Sequence, residues 1–185
     1  MNVAVFPGSF NPLHIGHKAI MDALVQKAGF ERVYLIVSPK NPLKEGISPD
    51  SAQDRYDAAV RAVKANGMTD VLVDDIELSM PSPQYTVTTL DALRQREPQN
   101  NFTLVIGSDQ LADIRRWKDY RRILLEFGLA VYPREGFDTA ALREDLLEED
   151  SAYRIRMVDA PQVNISSTLI REGLAAGRDM SRWMM

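Results

Sequence analysis

Short β-branched apolar runs recur along the chain at Val3–Phe6, Val33–Val37, Val71–Val73, Phe102–Ile106, Leu129–Tyr132 and Ile155–Val158. Most are apolar on both faces, as strands covered by helices on each side must be. Between them lie segments of helical period: Gly16–Lys27, Ser51–Ala65, Thr86–Arg96, Tyr120–Phe127, Thr139–Glu149 and Thr168–Ala176. In the first two, Ala19, Leu24 and Ala28, and Ala58, Ala62 and Ala65, form stripes expected to pack on a sheet. Such alternation predicts right-handed βαβ units in an α/β fold: a doubly wound, open parallel sheet with helices on both faces. The longest irregular segments, Ser38–Pro49 and Ser79–Gln84, are rich in Pro, Ser and Lys. No repeat or linker divides the chain, so residues 1–177 read as one domain followed by a short tail, 178–185. In a sheet of this kind ligands bind outside the carboxyl ends of the strands, where the strand order switches.

Composition narrows the chemistry. Against 26 Asp+Glu the 185 residues carry 22 Lys+Arg, a formal net charge of −4, which argues against a nucleic-acid partner. A few well-placed cations could still hold a small anion. Cysteine is absent and there are only two histidines, which excludes disulfides, thiolate nucleophiles and Cys-ligated metals, and leaves little for a His-rich metal site. The N-terminus shows no secretory signal and no run of about 18 apolar residues occurs, so a cytoplasmic protein with no membrane partner is expected.

The unusual residues follow the first apolar run: Pro7-Gly8-Ser9-Phe10-Asn11-Pro12-Leu13-His14-Ile15-Gly16-His17. Neither G-x-G-x-x-G nor G-x-x-x-x-G-K-[ST] occurs, which disfavours a nicotinamide-cofactor dehydrogenase and a P-loop NTPase. Spacing i, i+3 puts His14 and His17 near one face of a helix's first turn, beside unpaired N–H groups and the positive dipole end, a setting that suits phosphate. From spacing alone the two could equally be ordinary polar residues at a helix start. Near the far end, Ile165-Ser166-Ser167-Thr168-Leu169-Ile170-Arg171 opens an apolar helix with three hydroxyls and places a cation in its first turn. No Glu or Gln follows at the offset of a capping box, and the arginine opposes the dipole unless an anion is present.

These stretches resemble the nucleotidylyltransferase superfamily, whose marks are [His/Thr]-x-Gly-His and Ile-Ser-Ser-Thr-x-x-Arg. The resemblance implies a Rossmann-like fold and binding of ATP by Gly8, Ser9, Phe10, His17, Gly107, Asp109, Ile165, Ser166, Ser167 and Arg171, with His14 and His17 on the triphosphate. Three further segments are similar to bacterial nicotinate-nucleotide adenylyltransferases. Tyr85-Thr86 lies in a segment like their Ser-Tyr-Thr-x-x-Thr-Leu, whose backbone amides hold the nicotinate carboxylate. Ile106-Gly107-Ser108-Asp109-Gln110-Leu111 leads to Trp117, implying sugar contacts by Asp109 and stacking of Trp117 on the pyridine ring. Ser38-Pro39-Lys40-Asn41-Pro42-Leu43-Lys44 matches a loop whose lysine, here Lys44, meets phosphate; Arg134 matches an arginine position loosely, and Ser9 completes the implied nicotinate-nucleotide set. The group Arg115, Arg116, Lys118, Arg121 and Arg122 reads as a solvated face. Gln84 replaces the family's serine, Pro7 its usual glycine, and Glu135-Gly136 its Pro-Gly; beyond Gly177 only Arg178–Met185 stand where relatives carry a further helix and an aromatic close.

What the resemblance implies is transfer of AMP from ATP to nicotinate mononucleotide, giving deamido-NAD and pyrophosphate. Alternatives left open are a related enzyme acting on phosphopantetheine or nicotinamide mononucleotide, and a nucleotide-binding sensor module without turnover. The nucleophile is a phosphate already anionic at neutral pH, so no side-chain base is called for. His14, His17, Lys44 and Arg171 would do the catalytic work of alignment and charge neutralisation. Mg²⁺ would be held mainly by substrate phosphates, with no protein metal site, and a homo-oligomer is compatible with the sequence.

Overall fold

The computed structural model describes residues 1–39 and 51–185. Six strands, β1 (Asn2–Gly8), β2 (Arg32–Val37), β3 (Val71–Asp74), β4 (Asn101–Gly107), β5 (Leu129–Tyr132) and β6 (Ile155–Met157), form one parallel sheet in the order β3-β2-β1-β4-β5-β6. Each coincides with an apolar run read from the sequence, and the fold is the Rossmann-like α/β arrangement expected. Helices α1 (Ile15–Gln26), α2 (Ser51–Ala65), α3 (Thr86–Arg96), α4 (Ser108–Ala112), α5 (Tyr120–Arg122), α6 (Thr139–Glu149) and α7 (Ser167–Ala175) connect or follow the strands.

Alternation along β1 builds two cores. Val3 and Val5 face Val87, Leu90 and Leu93 of α3, while Ala4 and Phe6 face Ile20, Met21 and Leu24 of α1 and Ala59 and Val63 of α2. Each Val, Leu, Ile, Met or Phe side chain among these, withdrawn fully from water, contributes about 1.5–3 kcal/mol. Chain direction reverses its progress between β1 and β4: β1 leads outward to β2 on one side, β4 to β5 on the other. The carboxyl ends of these neighbours, Gly8 and Gly107, therefore flank the switch point.

Three sequence readings need correction. The helical stripes are displaced: α1 buries Ile20, Met21, Ala23 and Leu24, with Ala19 and Ala28 only half-buried. In α2 Ala58 and Ala65 are exposed, and the buried positions are Arg55, Ala59 and Val63. Alanine carries too little apolar surface to fix a helix's rotation, and the larger Val63 decides it. The expected helix Tyr120–Phe127 divides into α5 and a π-helical turn over Ile123–Phe127, closed by Gly128 at φ 83°. The five-residue α4 is too short to show a readable period. Among the described residues no helix is long and apolar enough to cross a membrane.

Candidate active site

The β1–α1 turn is built around a reciprocal cap. His14 is the N-cap of α1, and its Nδ1 accepts the backbone N–H groups of Gly16 at 3.1 Å and His17 at 3.3 Å. In return His17 Nδ1 accepts the N–H of His14 at 3.1 Å. Two imidazoles thus fill the roles that Ser and Glu play in an ordinary capping box. The rings stack with centroids 3.6 Å apart and planes 25° from parallel. This corrects the expectation of unpaired N–H groups at the start of α1: those of Gly16 and His17 are consumed by His14.

Charge follows from that geometry. A backbone N–H only donates, so each Nδ1 presents a lone pair and each ring is the neutral Nε2–H tautomer. Burial, followed by the positive charge of Arg134, lowers the pKa of His14 from 6.5 to about 4. Burial first, then His14 and Arg134, lower that of His17 to about 3. Both histidines are consequently neutral N–H donors at pH 7 rather than cations.

Two glycines make this packing possible. A Cβ at Gly16 would stand 2.9 Å from the His14 ring, and one at Gly8 would stand 2.8 Å from the ring of Phe10. Phe10 takes φ +47° and is 5% exposed; it packs edge-on against Phe6 at 5.4 Å and His17 at 5.1 Å. Its ring is thus a prop behind His17, and what it can offer a nucleotide is its backbone. Ser9 is exposed on the same turn.

A cavity of about 540 Å³ opens in front of this pair. Its lining includes His14, His17, Arg134, Ile165, Ser166 and Ser167. α7 is tied to the first turn by two bonds: Ser167 Oγ donates to Pro12 O at 2.8 Å, and Arg171 Nη1 to Asn11 O at 2.7 Å. Arg171 also reaches Thr168 Oγ1 at 3.2 Å, so the cation turns across to the β1–α1 turn. Ser166 is the N-cap, its Oγ accepting the N–H of Leu169 at 3.1 Å. An ordinary serine cap and a place on the cavity wall coexist in one residue.

The carboxyl end of β4 lies against two residues of the cavity lining, Tyr132 and Arg134. A Cβ at Gly107 would meet Asp109 Oδ1 at 2.6 Å, Tyr132 Cε2 at 2.9 Å and Arg134 Cγ at 3.1 Å, so the backbone approaches all three. Asp109 and Arg134 lie 3.9 Å apart and half-exposed, a weak pair that leaves both available to a ligand. Gly107 is the N-cap of α4.

Tyr85 and Thr86 stand apart from the cavity. Tyr85 is the N-cap of α3 without a side-chain cap, so the first amides of this eleven-residue helix have no side-chain acceptor there. Lys118 Nζ lies 4.5 Å over the Tyr85 ring, which brings the neighbour of Trp117 to the start of α3. Trp117 itself is half-buried against the core. Lys44, with Lys40, lies outside the described residues. The basic group around Trp117 is not simply solvated: Arg115 pairs with Asp145 and Glu149, and Arg122 with Asp91 and Glu126.

Two contributors escaped sequence reasoning. Ser108 is fully buried; its Oγ donates to Tyr132 O at 3.2 Å and accepts the N–H of Arg134 at 2.7 Å, fixing the β5 turn to β4. Arg55 holds the turns after β1 and β2. Ser108 sat within a recognised run as its variable position, and Arg55 carried no motif signal.

A family model described as cytidylyltransferase-like matches residues 5–173. The chain is 37% identical over 171 residues to a "Probable nicotinate-nucleotide adenylyltransferase" of Cytophaga hutchinsonii, covering 92% of this chain and 84% of the relative. It is 35% identical over 184 residues to one of the same name from Azobacteroides pseudotrichonymphae, covering 100% and 92%. Among solved structures, a Plasmodium falciparum nicotinic acid mononucleotide adenylyltransferase complexed with NaAD superposes with a TM-score of 0.79 at 18% identity, over 99% of this chain and 90% of that one. At that identity the match speaks for the fold alone.

Proposed function

The chain belongs to the cytidylyltransferase-like family, and on that premise we propose that it transfers AMP from ATP to nicotinate mononucleotide, releasing pyrophosphate and forming deamido-NAD. The observation that carries this reading is the cavity between the start of α1, the carboxyl end of β5 and the start of α7, where two neutral imidazole donors face Arg134. The names carried by the full-length relatives agree with it.

In the proposed reaction a phosphate oxygen of the mononucleotide attacks the α-phosphorus of ATP, and the bond from that phosphorus to the bridging oxygen breaks as pyrophosphate leaves. The attacking phosphate is largely ionised at neutral pH, so nothing need deprotonate it. The protein's task is alignment and stabilisation of charge on the leaving group. Nε2–H of His14 and of His17 would donate to triphosphate oxygens, and a neutral donor locked by its own cap needs no reorganisation as charge builds. Arg134 and Arg171 would supply positive charge, and Asp109 would accept from sugar hydroxyls. Tyr85, Thr86 and Trp117 would form the pyridine-ring side, the uncapped amides of α3 suiting a carboxylate. No group of three His, Asp or Glu that could cage an ion is found among the described residues. Magnesium fits as part of the ATP substrate, held by phosphate oxygens and water, where it would neutralise the pyrophosphate.

A coupled pyrophosphate-release assay with ATP–Mg²⁺ tests the reading. Turnover is expected with nicotinate mononucleotide and should exceed that with nicotinamide mononucleotide or phosphopantetheine. Preference for either of the other acceptors would overturn the assignment of substrate, and ATP binding without turnover on any acceptor would overturn the assignment of activity.

A further inference from the structure

Arg55 sits where elementary electrostatics disfavours a cation. It lies in the second turn of α2 and is 5% exposed. The stripe it shares with Ala59 and Val63 faces the core on the α1–α2 side of the sheet. Burying a guanidinium there costs several kcal/mol unless its N–H groups find partners. Desolvation accordingly lowers its pKa. No carboxylate among the described residues pairs with it. A methionine would fill similar space without that cost, so the arginine's contacts must account for it.

Those contacts converge at one place. Nη1 donates to Ser9 O at 2.6 Å and to Ser38 O at 2.9 Å. The last rung between the two strand ends is the bond from Ser38 N–H to Gly8 O at 2.9 Å, after which β1 and β2 diverge. One nitrogen therefore gathers the two carbonyls just beyond the rung. Its neighbour Nη2 is buried and has no partner among the described residues, so within them the side chain's hydrogen bonds all come from this one nitrogen. From Ser9 the route to the site is short: Phe10 follows in the left-handed region, and its buried ring lies edge-on to His17 at 5.1 Å.

We propose that Arg55 is a positioning residue for the adenylyl-transfer site, pegging the Ser9 carbonyl to that of Ser38 so that Phe10 holds the His17 ring in place. The inference rests on the function proposed above for its kinetic consequence and on geometry alone for its structural one. Arg55 touches neither nucleotide nor histidine; it fixes the turn from behind. Motion of Ser9 by about an ångström would swing Phe10 and release His17, and misplacement on that scale costs about 10²-fold in rate.

The test uses Arg55→Met, which keeps volume and removes both bonds, beside Arg55→Lys, which keeps the charge and one reachable carbonyl. Two readouts are taken on folded protein well below the thermal midpoint: imidazole ¹⁵N and ¹H chemical shifts of both histidines, and steady-state kinetics. Arg55→Met is expected to shift the His17 ring signals strongly and to lower kcat at least tenfold, with Arg55→Lys intermediate in both. Phe10→Leu should produce the same His17 shift, and adding Arg55→Met to it should change that shift little further. If Arg55→Met does not fold, the Arg55→Lys and Phe10→Leu pair carries the same comparison. Unmoved His17 signals in a folded variant, or a kcat within twofold of wild type beside a lowered thermal midpoint, would reduce Arg55 to a stability role. Should the wild type prove inactive on every acceptor, the function reading fails while the shift experiment still decides the peg.

Discussion

At Gly16 and His17 the backbone N–H groups converge on the Nδ1 lone pair of His14, and His14's own N–H goes to His17. Protonating either Nδ1 would replace an acceptor with a donor facing a donor. The sequence made both histidines legible as a pair on one helical face, yet it left their charge open, because charge depends on which nitrogen the backbone occupies. Two predictions follow at this scale. His14→Asn keeps an oxygen acceptor at a favoured N-cap residue but removes the Nε2–H; the thermal midpoint should stay within about 3 °C, while kcat/KM falls about 10²-fold. An unfolded variant or unimpaired turnover would contradict the division of labour between the two ring nitrogens. The second prediction concerns pH. Both folded pKa values lie below 6.5, so between pH 6.5 and about 4 for His14, or about 3 for His17, the unfolded chain binds protons that the folded chain refuses. Their stabilising contribution is complete above pH 6.5 and is lost as pH falls. In urea titrations the wild type should lose more stability from pH 7.5 to 5 than the His14→Asn/His17→Gln double variant; equal losses would show that the pair is not the source.

Elements show how local signals and tertiary packing divide the information. The strands were legible because most are continuous apolar runs, the pattern that burial on both faces imposes; β6, with Arg156 and Met157 exposed, is the weakest of them. Helix rotation was less legible in α1 and α2, where alanines mark several faces at once and only the sheet chooses among them. Arg55 was invisible for the same reason: a cation on the buried stripe looks like solvent-facing charge until Ser9 and Ser38 are brought beside it. Gly16 provides a test in which propensity and packing give opposite signs. Inside a helix, Gly→Ala stabilises by about 1 kcal/mol on propensity alone. Here the added Cβ would stand 2.9 Å from Cε1 and Nδ1 of a His14 ring that two N–H donors hold in place. Gly16→Ala should therefore fail to raise the thermal midpoint and should depress kcat at least tenfold. A gain of stability with full activity would mean that the ring moves freely and that the reciprocal cap contributes little.

On the scale of the whole molecule, alternation of strand and helix announced a parallel sheet, but its order is a fact of long-range pairing. That order places residues 8–17, 107–109, 132–135 and 160–171 around one switch point, although they are scattered over most of the chain. Motif recognition found most of these residues; it could not supply their spatial relations. The tail, 178–185, was the segment least determined by sequence, since no motif or period falls in it. In the structure it docks. Gly173 admits Met180 so closely that a Cβ would collide with its Sδ, Met184 forms an antiparallel bridge with His14, and Met185 packs on the α1–α2 core. The last residues of the chain thus cover the first residue of the reciprocal cap, which is only 7% exposed. Burial is the largest cause of the depressed His14 pKa, so uncovering the ring must relax it. Removing residues 178–185 is expected to raise the His14 pKa toward 6.5, followed by imidazole shifts in an NMR titration, and to change His17 less, since Phe6 and Phe10 still enclose it. Gly173→Leu, which fills Met180's seat and leaves the tail present, should move His14 in the same direction. If both variants stay folded and His14 titrates as in the wild type, the depressed value comes from the cap and Arg134 rather than from the cover, and the tail is only a passenger on the domain.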